Sequence, residues 1–144
     1  MIRHVRSLYL SDHVGCALSH KNARGKGGRH ALDVALNRQV RAGVDVIAIL
    51  IDTDTDWDDN LRRKARQRGV QVLESRPCLE AWLLKVAGYN PPANTADCKR
   101  EFARRFDGEA HDAAVLARHF GRTVLDVRRA AVAVLDQLLK LIGV

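Results

Sequence analysis

The run VDVIAILI, residues 44–51, constrains the fold more than any other stretch of this chain. It is almost uninterrupted apolar and rich in β-branched side chains. Such a run predicts a strand buried on both faces, as in the interior of a parallel sheet. It ends abruptly in carboxylates, with Asp52, Asp54, Asp56, Asp58 and Asp59 following within eight residues. Like charges crowded where a buried strand surfaces have two readings. Either a cation sits among them, or they cap the next helix and face water.

The flanking sequence sets the strand in an α/β pattern. HVRSLYL (4–10) has Val5, Leu8 and Tyr9 at helical spacing and reads as the end of a helix. VGCALS (14–19) predicts a short strand, and HKNARGKGGR (20–29) a glycine-rich basic loop. A helix follows with Leu32, Ala35, Leu36 and Val40 on one face, stopping at Gly43. After the aspartates, DNLRRKARQRG predicts a short basic helix stopped by Gly69. VQVLE (70–74) predicts a third strand, and 75–89 a helix with Pro77 in its first turn. Asn94 with Asp97 and Thr123 with Asp126 have capping-box spacing, opening helices at 95–106 and 124–142. The segment 110–120 also reads as helical. Alternating strands and helices predict an α/β fold with a small parallel sheet of about three strands and crossover helices. The whole chain, 1–144, reads as one domain, with an α/β core at 14–88 and a helical extension at 89–144.

Both unusual loops, 20–29 and 52–58, leave the carboxyl ends of predicted strands, where open parallel sheets bind ligands. Asp52, Asp54 and Asp56 alternate, so in extended geometry they point the same way. An all-oxygen set suits a hard cation, Mg²⁺ or Mn²⁺, with a substrate phosphate completing the shell. Asp58 and Asp59 instead read as the N-cap and first turn of the following helix. An EF-hand is excluded, because counting from Asp52 its required glycine and glutamate positions hold Trp57 and Arg63. The loop NARGKGG matches neither a Walker A loop nor GxGxxG. Its Gly25, Gly27 and Gly28 still allow close backbone approach to an anion, with Arg24 and Lys26 adding charge. Arg76 either holds a phosphate or pairs with Glu74 or Glu80.

The formal charge of +7 favours an anionic partner, nucleic acid first. RRKARQR (62–68) supplies a basic helix face. Aromatic residues make up only 5% of the chain, which weakens any case for base stacking. Cys16, Cys78 and Cys98 are odd in number and form no CxxC pair. That argues against a zinc site or a disulfide framework and for a cytoplasmic setting. No stretch approaches a membrane-spanning length, so no membrane partner is expected.

VIAILIDTDTD, followed by ESRPCLEAWLL, resembles the RloB-like proteins, which are related to the Toprim fold. Their pattern S-x-P-C-[FL]-E-x-W-[LI]-L is met by Ser75, Pro77, Cys78, Leu79, Glu80, Trp82, Leu83 and Leu84. The resemblance implies a Toprim-like, Mg²⁺-dependent nuclease or phosphodiesterase, associated with restriction loci and phage defence. Asp52 and Asp54 would match the metal-binding DxD, and Glu80 the glutamate of the following helix. The family opens with a strand ending in E-G-x-[TS]-[DE], whose glutamate is a catalytic acid or base. No such motif precedes residue 14. Two expectations follow: the coding start lies upstream of Met1, or the chain is a degenerate form that binds nucleic acid, or joins a defence complex, without catalysis. Glu74 is the candidate stand-in for the missing glutamate. A sheet short of one strand exposes an edge that can recruit a second copy, so a homodimer is a further expectation.

Overall fold

The computed structural model describes residues 1–10, 25–42 and 44–144. The predicted strand 14–19, Arg24 and the helix stop at Gly43 lie outside the described residues. The chain divides into two compact units, Lys21–Cys78 and Met1–His20 with Leu79–Val144. The division falls between Cys78 and Leu79. The segment read from sequence as the last core helix therefore groups with the C-terminal helices.

The first unit is α/β. Its described elements run α2 (Gly27–Ala42), β1 (Ala48–Asp52), α3 (Asp59–Gln67) and β2 (Gln71–Ser75), after α1 (Ile2–Tyr9) of the other unit. Among the described residues the sheet has two strands, β1 and β2. They are parallel, with Ile49 opposite Val72, Ile51 opposite Glu74 and Asp52 opposite Ser75. The crossover that parallel pairing requires is α3. Leu32 and Ala35 of α2, Leu61 and Ala65 of α3, and Ile49 and Ile51 of β1 form one buried cluster with Trp57 and Val70. Burying each of the larger side chains contributes about 1.5–3 kcal/mol.

The apolar run differs from its expected form. The strand begins only at Ala48, and Val44 and Val46 are exposed. Within β1, Ile49 and Ile51 are buried, Leu50 is half-buried and Ala48 is exposed. In β1 the side chains that meet α2 and α3 are thus fully buried, and those of the opposite face only partly.

Helix ends follow the sequence closely in this unit. Asp58 is the N-cap of α3 and its carboxylate accepts from the Leu61 N–H at 2.8 Å. Asp59 sits in the first turn, where the helix dipole favours it, and pairs with Arg62. Gly69 ends the helix with φ +67°, a conformation that favours glycine.

The second unit is helical: α1, α4 (Leu79–Val86), α5 (Thr95–Phe106), α6 (Ala113–His119), α7 (Arg122–Arg128), a 3₁₀ turn at Arg129–Ala131, and α8 (Ala133–Leu141). Phe102, Phe106 and Phe120 pack together, with ring centroids 4.6–6.2 Å apart. Asn94 caps α5 reciprocally. It accepts from the Asp97 N–H at 2.9 Å and donates to the Asp97 carboxylate at 2.7 Å.

Two helix expectations are corrected. Pro77 lies before α4 rather than within its first turn. The helix predicted at 124–142 is broken, because Val132 is extended (φ −128°, ψ 93°) between the 3₁₀ turn and α8. The N-cap of α7 is Gly121, not Thr123. Asp126 turns instead to the Tyr9 hydroxyl, which donates to it at 2.7 Å. Among the described residues, no helix is long and apolar enough to cross a membrane.

Candidate functional site

The acidic turn leaves the carboxyl end of β1. Its backbone is tied to the neighbouring segment. The Thr53 N–H donates to the Ser75 carbonyl at 3.1 Å, and the Asp54 N–H to the Pro77 carbonyl at 3.2 Å. The Thr55 hydroxyl closes back on the Asp52 carbonyl at 2.8 Å. The chain therefore turns after Asp52. The alternation that would aim Asp52, Asp54 and Asp56 one way holds only for an extended strand.

Asp56 goes to the start of α2. Its carboxylate accepts from the Gly28 N–H, and the Arg29 N–H lies 3.4 Å from both oxygens. The first N–H groups of a helix lack internal partners, and the dipole there attracts negative charge. The anion at this glycine-rich helix start is thus supplied by the chain itself. The glycines serve that docking. Gly27 has φ +79°, and a Cβ on it would collide with the Asp56 carboxylate. A Cβ on Gly28 would stand 2.7 Å from both Ile51 Cδ1 and Trp57 Cε3. Asp56→Ala is expected to cost about 1 kcal/mol of stability, as for loss of a capping carboxylate, measured by urea denaturation. An unchanged midpoint would remove the capping role.

Glu74 is held just as firmly. From sequence it closes the strand expected at 70–74 and is the candidate stand-in for the missing catalytic glutamate. Its side chain is only 14% exposed. One oxygen accepts from Trp57 Nε1 at 2.8 Å and from Arg62 Nε at 2.6 Å; the other accepts from Arg76. Burial pushes the carboxyl pKa up, but hydrogen bonds from Arg62, Trp57 and Arg76 outweigh it and hold the group at about 2. Arg76, the candidate phosphate ligand, is thereby ion-paired to Glu74 and otherwise exposed.

The register adds a separation. Ile51 and Glu74 are opposite one another, so they share a face; Asp52 and Ser75 share the other. Glu74 is therefore directed away from Asp52 and is not placed to stand in beside it. Glu80 is half-buried in the first turn of α4, in the helical unit. Among the described residues, no three His, Cys, Asp or Glu side chains are grouped so as to hold a metal ion. The three-carboxylate cage read from Asp52, Asp54 and Asp56 is therefore not assembled. Asp52 ends β1, and Asp54 follows it in the turn.

A pH dependence follows from Glu74. Its folded pKa is depressed, so the stability it contributes is full above the unfolded value of about 4.5 and is lost as pH falls toward about 2. Denaturation midpoints measured across that window are expected to fall in the wild type. Glu74→Gln, already without the charge, should show a flatter decline.

The basic residues are arranged differently from the acids. Arg62 is bound to Glu74 and Asp59, and Lys64 to Asp33 of α2. Arg63, Arg66 and Arg68 are exposed, and among the described residues their side chains make no ion pair or hydrogen bond. Lys26 and Arg29, at the start of α2, are likewise exposed and outside any described ion pair. From sequence, RRKARQR (62–68) is expected to supply one basic face. The structure sorts it into tethered and outward members, because Leu61 and Ala65 fix which side of α3 meets the core.

No family model, curated protein or solved structure matches the chain.

Proposed function

We propose that this protein binds nucleic acid through backbone phosphates, using the outward arginines of α3, in a cytoplasmic setting. One observation carries the reading. The fold employs Asp56, Asp58, Asp59 and Glu74 as caps and ion-pair partners, while Arg63, Arg66 and Arg68 face outward without a described partner. In a chain of net charge +7, that leaves a cationic surface suited to a polyanion. Lys26 and Arg29 extend the positive charge at the start of α2. Such a protein would act as a binding component, alone, as a homodimer or within a defence complex.

Fluorescence anisotropy of a labelled oligonucleotide over a salt series tests this. Neutralising three phosphates gives a log K against log salt slope of about −2.7 on duplex DNA. No binding at low salt, or binding insensitive to salt, would overturn the reading.

A second reading is the Mg²⁺- or Mn²⁺-dependent phosphodiesterase of a Toprim-like fold, with 14–19 as a third strand and the resemblance to RloB-like proteins as its basis. What favours it is the position of Asp52 and Asp54 at the carboxyl end of a parallel strand. Two carboxylates suffice for Mg²⁺ when waters and substrate phosphate complete its shell. Metal-dependent plasmid cleavage abolished by Asp52→Asn would establish that reading in place of the first.

A further inference from the structure

We infer that the α3 face takes double-helical nucleic acid, through its phosphates and irrespective of base sequence, in preference to single strands. The inference rests on the nucleic-acid reading above and on a separate fact, the placement of the aromatic rings. Every Phe, Tyr and Trp of the chain is among the described residues. Tyr9, Trp57, Trp82, Phe102, Phe106 and Phe120 are buried. Tyr89 is 40% exposed, but the Arg105 guanidinium lies over its ring, 3.8 Å from the centroid. Single-strand binders draw much of their affinity from bases stacking on open aromatic rings. This chain keeps its rings for its cores.

What α3 presents is charge. Arg63 and Arg66 are one turn apart, on the side away from Leu61 and Ala65, and Arg68 follows at the helix end. A helix of nine residues is about 13 Å long. Over that length a duplex presents roughly eight phosphate charges, at one per ~1.7 Å of axis. Each neutralised phosphate contributes about 0.9 to the salt exponent on a duplex and about 0.7 on a single strand. For three arginines the exponents are about 2.7 and 2.1; with duplex and strand affinities taken as equal at about 1 M salt, the duplex is about fourfold tighter at about 0.1 M and about tenfold at about 0.02 M.

The experiment compares the full chain on labelled DNA and RNA duplexes of about 20 base pairs, their separate strands, and a second unrelated sequence, by anisotropy at those two salt concentrations. Either duplex should exceed its own strands by these factors, with the two sequences equal, and the ratio of the two duplexes identifies which helix is taken. Strands bound as tightly as duplexes, or a strong preference for one sequence, would overturn the inference and leave nucleic-acid binding standing. No binding to any probe at low salt would overturn both.

Discussion

Trp57→Ala is expected to destabilise the Lys21–Cys78 unit by about 3–5 kcal/mol, the range for truncating a buried aromatic side chain. Trp57 is 4% exposed and belongs to the same cluster as Leu32, Ile51 and Leu61. Its ring packs so closely on Gly28 that a single methyl there would meet it. Truncation would open a cavity where α2, β1 and the acidic turn come together. It would also remove the indole N–H that donates to Glu74. Trp57→Phe keeps most of the volume and loses that donor, so its cost should be nearer about 1–3 kcal/mol. Denaturant midpoints, with amide exchange at Ile49 and Ile51, would read the loss locally. A cost below about 1 kcal/mol for the alanine variant would show that Trp57 is not what fastens the turn to the sheet.

The second large effect is on binding. Removing Arg63 and Arg66 together should lower the duplex salt exponent by about 1.8 and, with affinities taken as equal at about 1 M salt, weaken binding about sixtyfold at about 0.1 M. Stability should change by less than about 0.5 kcal/mol, because both side chains are exposed and neither has a described partner. Arg62→Ala provides the contrast. Arg62 is joined to Glu74 and Asp59, so its loss should register in stability first. Equal affinities for the wild type and the double variant would place the contact surface elsewhere.

The two effects divide one short segment. Residues 52–59 build the turn that seats α2 and α3, and residues 63–68 carry the outward charge. Much of that was legible in the sequence because it depends on local chemistry. An aspartate before a helix caps it, and Asp58 does; Asn94 and Asp97 cap reciprocally. A glycine after a basic helix ends it, and Gly69 does. The apolar run carries β1, although the strand starts later than the run because Val44 and Val46 are not drawn into the buried cluster.

What was not legible depends on partners distant in the chain. Asp126 has capping-box spacing from Thr123, yet its acceptor is used by the hydroxyl of Tyr9, 117 positions away. Glu74 closes a predicted strand, and nothing nearby in sequence announces that Trp57 and Arg62 will both donate to it. The helix expected over 124–142 carries an apolar stripe from Leu125 to Ile142. A stripe specifies which residues are buried, and it survives the break at Val132 because both halves bury their apolar side chains. The spacing of Asp52, Asp54 and Asp56 suggested convergence. Its outcome was decided by where the strand stops and by the vacant N–H groups of α2, to which Asp56 is drawn.

The division between acids that serve the fold and arginines that serve a partner is tested most directly by duplex binding in the presence of EDTA. Full binding without divalent cations, weakening linearly in log salt, is expected. Binding that appears only when Mg²⁺ or Mn²⁺ is added, and that Asp52→Asn abolishes, would contradict it and make the carboxyl end of β1 the working site.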